Sequence, residues 1–124
     1  MGRTKEGLEE GLRLLKNLRN EFNTNLFVPG KKEGLNVELD KAIHLRDFIL
    51  MGELIAYDAL SRNESCGGHF REEYQTEEGE AKRDDKNFFY VGCWEYKGAD
   101  KDPELIKEPL EYEAIKVHTR NYKN

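Results

Sequence analysis

Apolar positions recur every three to four residues between Lys5 and Phe22. Leu8, Leu12, Leu15, Leu18 or Arg19, and Phe22 share one stripe, with Glu9, Arg13, Lys16 and Asn20 opposite. That spacing predicts an amphipathic helix. Thr4 is placed to cap it, with Gly7 where a capping-box carboxylate would be preferred. Gly11 costs the helix about 1 kcal/mol relative to alanine at an exposed position, or else permits a second helix to approach closely. Residues 23–35 contain Pro29, Gly30 and Gly34 and read as a loop, with Leu26, Phe27 and Val28 expected to tuck against the helices. Asn36 then opens the longest periodic run, through Val37, Leu39, Ala42, Ile43, Leu45, Phe48, Ile49, Leu54, Ile55, Ala59 and Leu60. Asp47 or Gly52 can break a run of this length into a helix pair. Its apolar face is broad enough to be covered on two sides.

Periodicity then stops. Residues 72–87 are almost wholly charged or polar and read as a solvated loop. Residues 88–96 are aromatic and β-branched, and a second strand candidate containing Pro109 lies within residues 105–115. The stretch from Gly98 to Pro103 between them has turn chemistry, so an antiparallel ribbon is predicted. Pro109 cannot donate to a ladder and belongs on an edge. The expected architecture is mainly α: a three-helix bundle, spectrin-like and up-down-up, over residues 1–71. A C-terminal extension over residues 72–124, made of the acidic loop and a short β-hairpin, packs on it.

Bulk properties narrow the functional classes. The chain has 124 residues, enough for one domain, and 36% of them are charged. Twenty-five acidic against twenty basic residues give a net charge of −5, with lysines and arginines interspersed among glutamates, so neither nucleic-acid binding nor membrane insertion is expected. Two cysteines, Cys66 and Cys93, and no apolar run of transmembrane length suggest a reducing, cytoplasmic setting.

Chemistry concentrates where the long periodic run ends. Residues 63–74 read N-E-S-C-G-G-H-F-R-E-E-Y and are answered by Arg83, Asp84 and Asp85. Gly67 and Gly68 can take positive φ, letting the chain end the helix and reverse sharply. They do not form a phosphate cradle, since no strand precedes them and no G-x-G-x-x-G or G-K-[ST] follows. His69 has the residue type of a general acid or base, but anchoring the turn by hydrogen bonds is the simpler role. Cys66, His69 and Cys93 fall short of a zinc set, because a fourth ligand would have to come from remote His44 or His118. The Glu72–Glu73 and Asp84–Asp85 pairs lack calcium-loop spacing. Trp94 alternates with Tyr90 and Tyr96 as a packing face.

Glu64, Ser65, Gly67, His69 and Arg71, followed by R-D-D-K-N-F at residues 83–88, resemble the E-S-x-G-x-H-x-R-x-D and R-D-D-x-N-F signature of the succinate dehydrogenase and fumarate reductase flavoprotein subunit, in its C-terminal part. The resemblance runs upstream through the leucine-rich helices and downstream to Arg120, Asn121 and Tyr122. Many relatives have arginine and alanine where this chain has Cys66 and Gly68, and residues 76–82 look like an insertion. The resemblance implies a parent oxidoreductase with covalently attached FAD, a capping domain, a helical domain and a C-terminal segment, passing electrons to an iron–sulfur subunit and quinone. It also implies that the FAD site, the proton-shuttling arginine and the dicarboxylate-binding histidines lie in upstream parts, so that this chain alone is inactive and holds no cofactor. The parent would then be peripheral on the cytoplasmic face of the inner membrane. Within this reading Glu64, Ser65, Gly67, Gly68, His69, Arg71, Glu72, Arg83, Asp84 and Asp85 are candidates for docking to the FAD-binding and capping domains or to the iron–sulfur subunit. The contrasting expectation is a free-standing helical adaptor without a redox role.

Overall fold

The computed structural model describes residues 2–31, 33–98 and 101–119. The expected match at Arg120, Asn121 and Tyr122 lies outside them. The elements run α1 (Lys5–Asn25), α2 (Val37–Ser61), α3 (Asp85–Phe88), β1 (Tyr90–Glu95) and β2 (Glu104–Pro109). The chain is therefore mainly helical with an antiparallel two-stranded hairpin. The three long helices of the expected bundle are replaced by two, since α3 is a single turn. α2 is also one uninterrupted helix. A Cβ at Gly52 would sit 3.5 Å from Leu15 Cδ2, an ordinary packing distance, so the glycine marks a helix contact and not a break. No atom comes within 4 Å of a Cβ built at Gly11.

Two compact units can be described. The first comprises residues 6–57. Leu12 and Ile49 are buried there, and Leu8, Leu15, Arg19 and Phe22 are half-buried, so Arg19 and not Leu18 continues the α1 stripe. The reason is polar: Arg19 Nη1 donates to the buried Glu53 at 2.6 Å. Lys16 lies over the Tyr57 ring, 5.4 Å from its centre. Asn36 starts α2 as expected, its Oδ1 accepting from the Glu38 and Leu39 N–H groups at 3.1 Å each. Those donors have no intrahelical acceptor, so Asn36→Ala is expected to lower stability by about 1 kcal/mol, measurable by urea unfolding.

The expected core is only partly the real one. Ile43, Phe48 and Ile55 were assigned to it by periodicity, yet Phe48 is 67% and Ile55 56% exposed, and Ile43 is exposed as well. Apolar residues surround α2 on nearly every side, whereas one packed neighbour covers only a single stripe. Leu39, Leu45, Leu50 and Met51 are uncovered too, as are Leu26 and Phe27 in the loop expected to tuck inward. Among the described residues no helix is long and apolar enough to cross a membrane.

The second unit comprises residues 1–5 and 58–124. In its hairpin Tyr90 pairs with Pro109 and Glu95 with Glu104. Alternation sends Tyr90, Gly92 and Trp94 inward and Val91, Cys93 and Glu95 outward; Tyr96, beyond the strand, is exposed and leaves the expected face. Trp94 Nε1 donates to Asp58 Oδ1 at 2.9 Å, tying the ribbon to the last turn of α2. Glu95 and Glu104 oppose each other as like charges, and Lys97 Nζ reaches both, at 2.6 and 2.8 Å. Pro109 stands opposite Tyr90 at the end of β2, and beyond it the Leu110 N–H still donates to Phe89 O at 3.1 Å.

Candidate functional site

α2 stops at Ser61, six residues before Gly67, so the glycines do not end the helix as expected. They build the next reversal instead. Cys66 N–H donates to His69 O at 2.8 Å and His69 N–H to Cys66 O at 3.0 Å. Only Gly67, the first central residue of that turn, has positive φ (57°); Gly68 does not. Glycine at the first central position suits the twist of the flanking extended segments.

The reversal carries Arg71 back under the helix end. Arg71 is 1% exposed, and its Nη1 donates to Ala59 O at 3.0 Å and Leu60 O at 3.4 Å. These are carbonyls of the last turn, which have no intrahelical donor, so a cation there satisfies both hydrogen bonding and the helix dipole. Its Nε donates to Glu73 Oε2 at 3.1 Å and its guanidinium lies 5.5 Å from the Tyr74 ring centre. The buried Ser65 closes the loop: its Oγ donates to Arg71 O at 3.0 Å and accepts from Arg71 N at 2.8 Å.

Glu64 joins the two halves of the signature. It is buried, with Oε1 accepting from Arg62 Nη2 at 2.8 Å and Oε2 from the Asp84 N–H at 2.9 Å. Ser65 N–H donates to Lys82 O at 2.9 Å. Arg62 also reaches Phe88 O at 3.0 Å and lies over the Tyr90 ring. Asp84 caps α3 by accepting from Asn87 N at 3.3 Å and from its Nδ2 at 2.7 Å. Arg83 pairs with Asp85 and donates to His118 O at 3.4 Å. The acidic stretch expected to be a solvated loop is a tight turn. Thr76 N–H donates to Glu80 O and Lys82 N–H to Tyr74 O, with Gln75 opposite Ala81.

His69 Nδ1 is 3.2 Å from Arg3 Nη1, and Nε2 is 3.2 Å from Arg62 O. Arginine only donates and a carbonyl only accepts, so the imidazole is neutral with its proton on Nε2. Burial holds its pKa below the ordinary histidine value, opposed by the Arg62 carbonyl bond and reinforced by the positive charges of Arg3, Arg62 and Arg71. Arg3 belongs to a strap: its N–H donates to Phe70 O at 3.0 Å and its carbonyl accepts from Glu72 N at 2.8 Å. Glu73 Oε1 accepts from Lys5 N at the start of α1. That bond, with one to its own backbone and those to Arg71, lowers the Glu73 pKa.

Of the ten expected docking residues, Glu64, Ser65 and Arg71 are buried and His69, Arg83 and Asp84 half-buried, while Gly67, Gly68, Glu72 and Asp85 are exposed. Arg3, Arg62 and Glu73 complete the cluster and are not among the ten expected docking residues. Arg62 lies two residues before the signature and Glu73 stands at its closing acidic position, but only the fold brings Arg3 across 66 positions to His69. Both imidazole nitrogens are engaged, Cys66 is half-buried and Cys93 exposed, and among the described residues no three metal-binding side chains converge. Nor does the cluster fit a flavin phosphate, because the Cys66 and His69 N–H groups each donate to the other's carbonyl oxygen and the Arg71 guanidinium donates to helix carbonyls and Glu73.

What the cluster does is clasp: it ends α2, turns the chain and joins two signature segments about twenty residues apart. The family model described as fumarate reductase flavoprotein C-terminal region matches residues 1–122, covering the helices, both signature segments and the hairpin together. The chain belongs to the C-terminal domain family of succinate dehydrogenase and fumarate reductase flavoproteins, which are oxidoreductases.

Proposed function

We propose that this chain is a non-catalytic docking module of a succinate dehydrogenase or fumarate reductase flavoprotein subunit. It supports the interconversion of succinate and fumarate without touching the reacting atoms. The observation that carries the reading is the uncovered apolar surface of α2, formed by Ile43, Phe48, Leu50, Met51 and Ile55. A surface of this kind on a water-soluble chain marks an interface. In this reading the parent's FAD-binding and capping domains cover α2, and exposed Glu72 and Asp85 remain available for polar contacts of their own unit. The buried Glu64, Ser65 and Arg71 act inside the module, giving α2 a fixed C-terminal end. FAD and the iron–sulfur subunit that accepts its electrons belong to the parent assembly, peripheral on the cytoplasmic face of the membrane.

The test is to co-express this 124-residue chain with the remainder of such a flavoprotein and its iron–sulfur subunit as separate polypeptides. The chain is expected to co-purify with the flavin-bearing polypeptide in a one-to-one ratio. Recovery of the chain alone, beside a fully assembled and active enzyme lacking it, would refute the docking role. The same apolar surface would also suit a free-standing adaptor. The mass of the native polypeptide separates the two, since an adaptor would be found at 14.5 kDa and a docking module within a larger protein.

A further inference from the structure

We propose that Arg3, His69 and the Arg62 carbonyl form an acid-sensitive latch, which holds the strap of residues 2–4 against residues 70–72 and releases it when the imidazole takes up a proton. The geometry admits only one protonation state of the closed form. Nδ1 must offer a lone pair to Arg3 Nη1 at 3.2 Å, and Nε2 must donate to Arg62 O at 3.2 Å. A proton on Nδ1 would set N–H against N–H. It would also place a fourth positive charge among Arg3, Arg62 and Arg71, whose neighbouring carboxylates Glu64 and Glu73 are already bound to Arg62 and Arg71. Arg3 is the partner that the proton displaces, and its strap also carries two backbone bonds, Arg3 N to Phe70 O and Glu72 N to Arg3 O, with the Lys5 N bond to Glu73 at its end. Arg62 and Arg71, by contrast, are tied to several carbonyl and carboxylate oxygens.

The direction with pH follows from burial. The closed latch holds His69 below its ordinary value, chiefly by desolvation and then by the neighbouring arginines. An opened strap removes the Arg3 charge and part of the burial, so the pKa rises toward the ordinary histidine value. Closure is therefore favoured at neutral pH and weakens as pH falls through the histidine range.

Amide hydrogen exchange on the full chain, corrected for intrinsic rates, tests this. Protection of the Glu72 amide is expected to fall, by at most about tenfold, between about pH 7.5 and pH 5.5, while that of the Arg71 amide, bonded to Ser65 Oγ, holds. His69→Gln keeps a donor and an acceptor but cannot charge, so its Glu72 protection should not change with pH. Imidazole nitrogen shifts should report the Nε2–H form at neutral pH. Unchanged Glu72 protection in the parent chain, an equal loss in His69→Gln, or a charged or Nδ1–H imidazole at pH 7.5 would each overturn the latch.

Discussion

Arg71→Ala is expected to cost the chain about 2–4 kcal/mol and to leave the residue 58–98 region without a cooperative transition. The magnitude follows from what the guanidinium satisfies. Removing it leaves Ala59 O buried without a donor and Leu60 O with none from this side, at about 1–3 kcal/mol for an unsatisfied buried group. It also strands Glu73, which then caps the first turn of α1 without its cationic partner. Arg71→Lys should recover only part of the loss, because one ammonium on a flexible stem cannot reach both the helix carbonyls and Glu73 as a planar fork does. Near-ultraviolet circular dichroism of Trp94, which hangs from Asp58 in the same helix turn, follows the transition. A melting curve for Arg71→Ala indistinguishable from that of the unaltered chain would show that the buried guanidinium is not what holds the turn.

Phe48→Gln combined with Ile55→Gln should have the opposite profile. Both side chains are more than half exposed, so the stability of the isolated chain should move by no more than about 0.5 kcal/mol per site. Co-purification with the flavin-bearing polypeptide should be lost. Ile49→Ala, at a buried position on the same helix, is the contrast: about 2–5 kcal/mol in stability. Thermal unfolding and pull-down of the same three proteins read both quantities. If the double variant unfolds as readily as Ile49→Ala, the exposed side of α2 is serving the chain's own fold and not an interface.

These paired expectations also mark how far the residue pattern could be followed. The helical segments, the Asn36 cap and the ribbon were legible because each depends on local spacing or a single capping side chain, whereas the unbroken passage of α2 through Asp47 and Gly52 was not. Helical periodicity identifies apolar stripes but not which of them finds a neighbour, so Ile43, Phe48 and Ile55 were placed in a core that Leu12, Ile49 and Ala59 occupy. The signature was legible as a polar cluster, and its direction was not. Arginine and glutamate are usually solvated, and only the return of the chain through the Gly67 turn puts Arg71 under the α2 carbonyls and Glu64 beneath the Asp84 amide. Arg3 carried no short-range sign at all, since its partners lie at residues 69–72.

The pairing of Arg3 with residues 70–72 also sets an order of events during synthesis. Arg3 and Arg71 are separated by 68 positions, which at roughly 5–20 residues per second is about 3–14 s of translation. Throughout that interval the strap has no segment to join, and the Ala59 and Leu60 carbonyls have no guanidinium to accept from, so the end of α2 is set only after residue 71 has been added.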